Sequence, residues 1–445
     1  MGLTQKDLDA QVDLPELEPL RLSEKLVSDR RYHFEVRARD AATPLHRVQV
    51  YANGVPVFGS KGLVLPQNQG RGAKVPIDMV LTPGKNKIEV EVSNRKGATS
   101  FRQVETVECT AARRLPRLYA LLIGVSKYKS PEYPSLTFPI KDATDMAILL
   151  RRLAANYRAA TPSTPPLSPT YESVSVLPLR GEEVTRDAVM KARSFLERAE
   201  PEDTVIVLIA GHGVRDNNSK DQEYYFLTYD AVGDNLKKTA ISFDDLEFLI
   251  DGLAARNKLL LMDTCNSWEA NTATKGAIKD PKLAKKPTIK ITNSQPQTST
   301  KRGAEDDEDA PPDAPKMVPI LGTRGATPAP GAPISKLSAL TDQEQILELF
   351  VELRRDTGAS IISAASAFQA ANEGKFVKNG FFTYAVLQGL GRMEADEDRN
   401  GIITVSELKN YVGRTVLKMS GGRQRPTTRR ENLTNDFTLL GQPRE

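Results

Sequence analysis

Cys265 and His212 are the only cysteine and the only histidine after residue 110, in a chain with two cysteines, Cys109 and Cys265, and three histidines, His33, His46 and His212. Each closes an apolar run. Val205 to Ala210 lead into Gly211-His212-Gly213, and Leu259 to Met262 lead into Asp263-Thr264-Cys265. Open α/β sheets gather reacting groups where buried strands emerge at their carboxyl ends. A thiol with a pKa of about 8.5 is mostly protonated at neutral pH, so nucleophilic chemistry at Cys265 needs a nearby imidazole to take its proton. Glycines on both sides of His212 let the backbone turn sharply, and the N–H groups of Gly213 and Cys265 are candidates for holding a developing oxyanion. A buried small cysteine and an incidental loop histidine form the plain alternative. That alternative leaves the shared strand-end context of two rare residues unexplained.

The elements that must position this pair begin at Leu118, where apolar strands start to alternate with helices. Tyr119 to Val125 reads as a buried strand, and a helix over about 141–153 places Met146, Leu149, Leu150 and Leu153 on one face. Strand SVSVLPL precedes a helix capped by Thr185 and running to about 199. The strand ending at His212 follows, then strand YYFLTYD, then a helix opened by Ser242 with Asp245 as a capping box. That helix returns to the strand ending at Cys265. Such alternation predicts a mainly parallel sheet covered on both faces. Order resumes late in the chain with a helix capped by Thr341 and Glu344, strand ASIISA, helix GFFTYAVLQGL and a final helix. DFTLL near the end reads as an edge strand.

Ahead of this α/β region the period is two. Phe34, Val36 and Ala38 alternate with charged residues, Asn53-Gly54 supplies a hairpin turn, and Ile88, Val90 and Val92 alternate again after Pro83-Gly84. The expected organisation is a loosely attached arm over 1–28, a small all-β sandwich of immunoglobulin-like type over 29–112, and a first α/β segment over 115–268. A long disordered insert without apolar period, 269–336, and a second α/β segment, 337–445, complete it. His33 and His46 fall in the sandwich as ordinary strand histidines.

Composition excludes several classes. Formal net charge is +4 over 445 residues, with no basic stripe interleaved with aromatics, so no nucleic-acid partner is expected. No leader and no apolar run long enough to span a bilayer is present, which predicts a cytoplasmic protein without a membrane partner. Lys6 stands where a myristoylation signal wants Ser or Thr. Two cysteines give neither a disulfide framework nor a structural zinc site.

Asp396, Asp398, Asn400, Gly401 and Glu407 have the spacing of an EF-hand loop, with the Ile402 carbonyl at its seventh position, and could wrap Ca²⁺. Thr404 and Glu407 also make a capping box for the last helix, which needs no metal. Both readings stay open. The dyad itself requires no cofactor.

The stretches RLYALLIGVSKY, FPIKDATDMAILL, DTVIVLIAGHGV, YYFLTYDA and LLLMDTCNSW, in this order, resemble the caspase-like cysteine peptidases, particularly bacterial relatives of metacaspases. The resemblance implies a caspase-like fold split into large- and small-subunit regions, with His212 as general base and acid and Cys265 as nucleophile. It also implies two aspartates below the nucleophile, matching Asp142 and Asp263. Two carboxylates in a half-buried pocket favour a cation, since one charge pair at about 4 Å is worth about 4 kcal/mol at an effective dielectric of about 20, before desolvation. Protein substrates with Arg or Lys before the cut are therefore expected. For Asp142 a simple helix N-terminal charge is the alternative.

Arg302-Gly303 and Arg324-Gly325 in the insert are candidate processing sites of a zymogen, cut by the enzyme itself or by an upstream protease; a passive linker is the alternative. Trp268 departs from the Gly that metacaspases usually carry there. Two other functions remain on the table: a catalytically silent scaffold of the same fold that binds partners through the sandwich, and acyl chemistry on a non-protein substrate. A role in defence or cell death is implied by the resemblance alone.

Overall fold

The computed structural model describes residues 14–20, 22, 24–154, 170–216, 223–264, 268–269, 320–323, 357–364, 372–374, 376–430 and 436–441. Cys265, Arg302, Arg324 and the helix expected from Thr341 lie outside these residues. Among the described residues no helix is long and apolar enough to cross a membrane.

Strict alternation builds the first domain. β1 (Arg31–Arg39) buries every second side chain and pairs antiparallel with β3 (Gly72–Val80), while β2 (Leu45–Ala52), β4 (Gly84–Asn94) and β5 (Gln103–Cys109) form the second sheet. Phe34, Val36, Val48, Val50, Ile77, Val90 and Val107 fill the space between them. Asn53 and Gly54 both take positive φ, 53° and 77°, as a two-residue hairpin requires to match strand twist. Part of the arm expected to hang loosely is instead paired: Glu16–Leu17 lie against Ala38 and Arg39, and Leu26–Val27 against Glu108 and Cys109.

The second domain is a six-stranded sheet. Its strands are β6 (Arg117–Gly124), β7 (Ser173–Arg180), β8 (Thr204–Ala210), β11 (Asn257–Asp263), β13 (Ser360–Ser363) and β14 (Thr427–Arg430). The spatial order is β7-β6-β8-β11-β13-β14, parallel except for β14. Successive residues of the central strands feed opposite cores. Leu118, Ala120, Leu122, Ile206, Leu208, Leu259 and Leu261 pack with α1 (Pro139–Ala154), α3 (Phe381–Gly391) and α4 (Val405–Met419). Tyr119, Leu121, Ile123, Val205, Val207, Ile209 and Leu260 pack with α2 (Phe243–Ile250) and the helical stretch around Val189 and Leu196. Burial on both faces is why these strands read as continuous apolar runs. Gly124 ends β6 where an added Cβ would lie 2.4 Å from the Pro139 carbonyl oxygen, so its lack of a side chain lets α1 start directly over the strand.

Three expectations are corrected, and a fourth, the strand at DFTLL, is placed. Only Tyr224–Phe226 of YYFLTYD is a strand, β10, and it leaves the main sheet for a small one with β9 (Gly213–Arg215) and β12 (Trp268–Glu269). The backbone turn at Gly211 carries the chain out of the main sheet. The helix after Thr185 is two pieces, Arg186–Lys191 and Arg193–Leu196, joined where the Ala192 N–H is shared among the carbonyls of Ala188, Val189 and Met190. Within the insert, Ile320–Thr323 form a strand against Asn372–Gly374. The DFTLL segment gives β15 (Thr438–Leu440), which pairs with Ile403–Thr404 rather than with the main sheet, whose edge is β14.

The sandwich meets the α/β domain through polar groups that precede β8 and β11. Asp251 accepts the N–H and hydroxyl of Ser60 at 2.7 and 2.9 Å. Arg256 donates to the Val80 carbonyl at 2.5 Å and to Thr82 and Asn86 at 3.3 and 3.2 Å. Arg30 pairs with Glu202 at 3.0 Å.

Candidate active site

β8 and β11 are parallel neighbours in register, with Ala210 opposite Asp263, and the Gly211 N–H donates to the Asp263 carbonyl at 3.4 Å. Beyond that point Val214 pairs with Trp268. The chain on both sides of Cys265 is thus paired with the chain on both sides of His212.

His212 is 1 % exposed and held from several directions. Its N–H donates to the Tyr128 hydroxyl at 2.8 Å and its carbonyl accepts the Leu227 N–H at 3.0 Å. Its ring stacks on that of Tyr128, with centroids 5.1 Å apart and planes at 27°. Its Nε2 lies 2.9 Å from the Pro134 carbonyl oxygen. A carbonyl only accepts, so Nε2 carries the hydrogen and the lone pair of the neutral ring sits on Nδ1. The same carbonyl stabilises the imidazolium once Nδ1 is protonated. Gly211, at φ 155°, leaves no room for a Cβ, which would meet the Phe226 ring at 3.0 Å and the Tyr128 hydroxyl at 3.2 Å.

The ladder sets the direction of the Gly213 N–H. Leu227 donates to His212 and Asp216 to Glu223, so residues 212, 214 and 216 occupy the hydrogen-bonded positions against β10. Gly213 therefore turns its N–H away from β10, towards the side where β12 pairs.

The structure brings Asp142 and Asp263 to one place, the first turn of α3. Both are fully buried. Asp142 accepts the Asn379 side-chain amide at 2.8 Å and the Gly380 N–H at 3.2 Å; Asp263 accepts the Thr383 hydroxyl and N–H at 2.5 and 3.2 Å. Gly380 at the N-cap has no side chain to satisfy the helix start, and these two carboxylates take that role. Asn379 also donates to Asp145 at 3.0 Å. Thr264 exchanges a hydrogen bond of 2.8 Å with the Tyr224 hydroxyl.

The Asp396 loop is a separate place. Oxygens of Asp396, Asp398 and Glu407 lie within 4.8 Å of one another. Asp396 accepts the N–H groups of Asn400 and Gly401, while Glu407 accepts the Thr404 N–H and hydroxyl at 2.8 and 3.0 Å, which completes the expected capping box. The Asn400 side-chain oxygen accepts the Ile402 N–H at 2.7 Å. Three carboxylates on a tightly wound loop fit a hard cation with oxygen ligands, held by Asp396, Asp398 and Glu407.

A family model described as caspase domain matches residues 117–438. The chain belongs to the caspase-domain family. Among solved structures, the caspase domain is similar to caspase-1 from Spodoptera frugiperda, at 10% identity over 72% of this chain and 88% of that one, with a TM-score of 0.36. A structure of pro-sf-caspase-1 matches at 14% identity over 72% and 89%, with a TM-score of 0.33. Fibronectin(III)-like modules of Clostridium thermocellum CbhA match at 16% identity over 23% of this chain and 50% of that one, with a TM-score of 0.18. No curated protein matches.

Tyr128, Pro134, Glu373 and Asn379 escaped the sequence reading. Pro134 acts through its backbone carbonyl, which leaves no side-chain signal. The other three meet their partners across long stretches of chain.

Proposed function

We propose that this caspase-domain protein is a cysteine endopeptidase, related to metacaspases, that cleaves after Arg or Lys. The observation that carries the reading is the 2.9 Å approach of Nε2 of buried His212 to the Pro134 carbonyl, beside the strand that leads to Cys265. Cys265 Sγ passes its proton to His212 Nδ1 and bonds to the scissile carbonyl carbon, while the N–H groups of Gly213 and Cys265 receive the oxyanion. The intermediate collapses, the C–N bond breaks, and the imidazolium gives its proton to the departing amine. Water then attacks the thioester as His212 takes its proton, the C–S bond breaks, and the acid product leaves with the thiol restored.

Two buried carboxylates at the first turn of α3 support a cationic side chain before the cut. The N–H groups of that turn offset part of their charge, so the preference is expected to be smaller than two bare carboxylates would give. Fluorogenic peptides ending in Arg or Lys should be turned over at least about tenfold faster than Asp-ended ones, one charge contact being worth more than about 1.4 kcal/mol. Cys265→Ala should fall to background. Turnover of Asp-ended peptides alone would overturn the specificity, and full activity in Cys265→Ala would overturn the mechanism. Intact masses of the same two proteins report self-cleavage at Arg302 or Arg324, since only the active form would lose the insert.

We also assign the Asp396 loop as a Ca²⁺ site of low affinity, with a dissociation constant near about 1 mM. Titration calorimetry should show heat that disappears in Asp398→Ala. No heat from the intact chain at millimolar Ca²⁺ would remove the assignment.

A further inference from the structure

Glu373 is 1 % exposed. Its carboxylate accepts the N–H of Thr137 at 3.0 Å and of Phe138 at 3.1 Å. These are the last two N–H groups before α1, where donors lack intrahelical acceptors and a negative charge is favoured. They also close the loop that carries both groups holding His212: the Tyr128 ring with its hydroxyl, and the Pro134 carbonyl. Val125 N–H on the Ala210 carbonyl at 3.0 Å pins the start of that loop, and Leu136 N–H on the Ser126 carbonyl at 2.8 Å ties its two ends together. Glu373 holds the two residues that follow Leu136.

The backbone of Glu373 is placed by two strand partners, Gly322 from the insert on one side and Gly380 on the other. Gly380 is the residue whose N–H binds Asp142. One short strand therefore touches the entry to α1, the start of α3 and the insert.

We propose that Glu373 is a positioning residue for the His212–Cys265 pair. By fixing Thr137 and Phe138 it holds the Pro134 carbonyl where that oxygen selects the tautomer and tilt of the His212 ring. The proposal rests on the dyad reading above. A displacement of about 1 Å in a supporting group can cost on the order of a hundredfold in rate, so a carboxylate remote from substrate can matter this way. Because Gly322 lies opposite Glu373, the placement of this carboxylate also depends on the insert, and that ties the dyad to the same segment that carries Arg324.

The test uses the full chain and two variants. Glu373→Ala removes both acceptors, and Glu373→Gln keeps the shape and one acceptor oxygen. Two readings are taken: steady-state hydrolysis of an Arg-ended fluorogenic peptide, and the peptide-resolved rate of Cys265 alkylation by iodoacetamide near about pH 7 and about pH 10. Near pH 10 a thiol ionises without help from an imidazole. In Glu373→Ala we expect kcat to fall at least about tenfold with KM within about twofold, and Cys265 alkylation to slow by a similar factor near pH 7 while matching wild type near pH 10. Glu373→Gln should fall between the two. A role confined to stability would lower the melting temperature and leave the alkylation ratio between the two pH values unchanged. Wild-type kcat and alkylation in a folded variant, or equal slowing at both pH values, would overturn the proposal. Should the Ala variant not fold, the Gln variant carries the same comparison. A wild type that turns over no peptide and alkylates no faster than His212→Ala would sink the dyad reading itself, and the role of Glu373 with it.

Discussion

The two ends of the six-stranded sheet are built from different materials. At the end where β6, β8 and β11 begin, charged side chains form a dense network. Buried Asp203 accepts from Arg114 and from the Arg117 N–H, both at 2.8 Å, and from the Glu200 N–H at 2.9 Å. Arg256 and Asp251 join the sandwich to that end. At the opposite end, where β8 and β11 finish, a backbone carbonyl, a tyrosine hydroxyl and a stacked ring hold His212. The first arrangement resists change and the second places one ring in one orientation. The sandwich is attached to the end away from His212, so under the proposed function recognition of substrate falls to the caspase domain.

Substitutions at the two ends should therefore separate stability from activity. Arg256→Ala removes a buried guanidinium that donates to Val80, Thr82 and Asn86 and should cost about 3 kcal/mol in urea unfolding, with peptide turnover per folded molecule unchanged. Cys265→Ala should do the reverse, abolishing turnover with an unfolding midpoint close to wild type. Equal loss of activity in Arg256→Ala at full folding would show that the sandwich end controls the site, and the contrast between the ends would fail.

A finer contrast comes from acid. Burial alone would raise the Asp203 pKa, but hydrogen bonds from Arg114 and from the Arg117 and Glu200 N–H groups outweigh it and hold the carboxyl below its ordinary value. The unfolded chain then binds the proton more readily, so stability rises with pH through this window. The Asp203 contribution is complete above the unfolded carboxylate pKa of about 3.9 and is lost as pH falls through the lower folded value. Melting temperature should drop on acidification below about pH 4, and Asp203→Asn, already destabilised at neutral pH, should show a shallower drop. Parallel acid curves for the two proteins would count against this account. The Arg256 guanidinium is pushed down to about 10 by burial and by nearby Arg30, against the pull of Glu202, so it stays charged throughout that range.

Much of this was legible in the sequence because the signals are local. Apolar runs marked the strands that are buried on both faces, and the Ser242–Asp245 and Thr404–Glu407 boxes marked two helix starts. Asn53-Gly54 marked its hairpin. The positions of His212 and of Asp142 relative to their elements followed from the same periodicities. What could not be read was contact between distant segments: Glu373 with Thr137, Asn379 with Asp142, Arg256 with Val80. A charged residue in a sequence does not announce whether it faces water or a helix start. YYFLTYD misled because its apolar content matches a main-sheet strand, while the turn at Gly211 sends its partner, β9, out of that sheet.

The insert joins β11 and β12 to β13, and β11 and β13 are already side by side in the sheet. A tether between adjacent points is tolerant of length, since each doubling adds only about 0.6 kcal/mol of closure entropy. The two segments it links also share one interior: Phe381, Phe382 and Leu390 from the later segment pack with Leu118 and Met146 from the earlier one, and the Tyr171 hydroxyl donates to the Leu439 carbonyl at 3.0 Å. A nick in the insert would thus turn one polypeptide into two without dividing the particle. Severing the tether changes which residues are chain ends, and it leaves the two fragments as a non-covalent pair bound by the core they folded around.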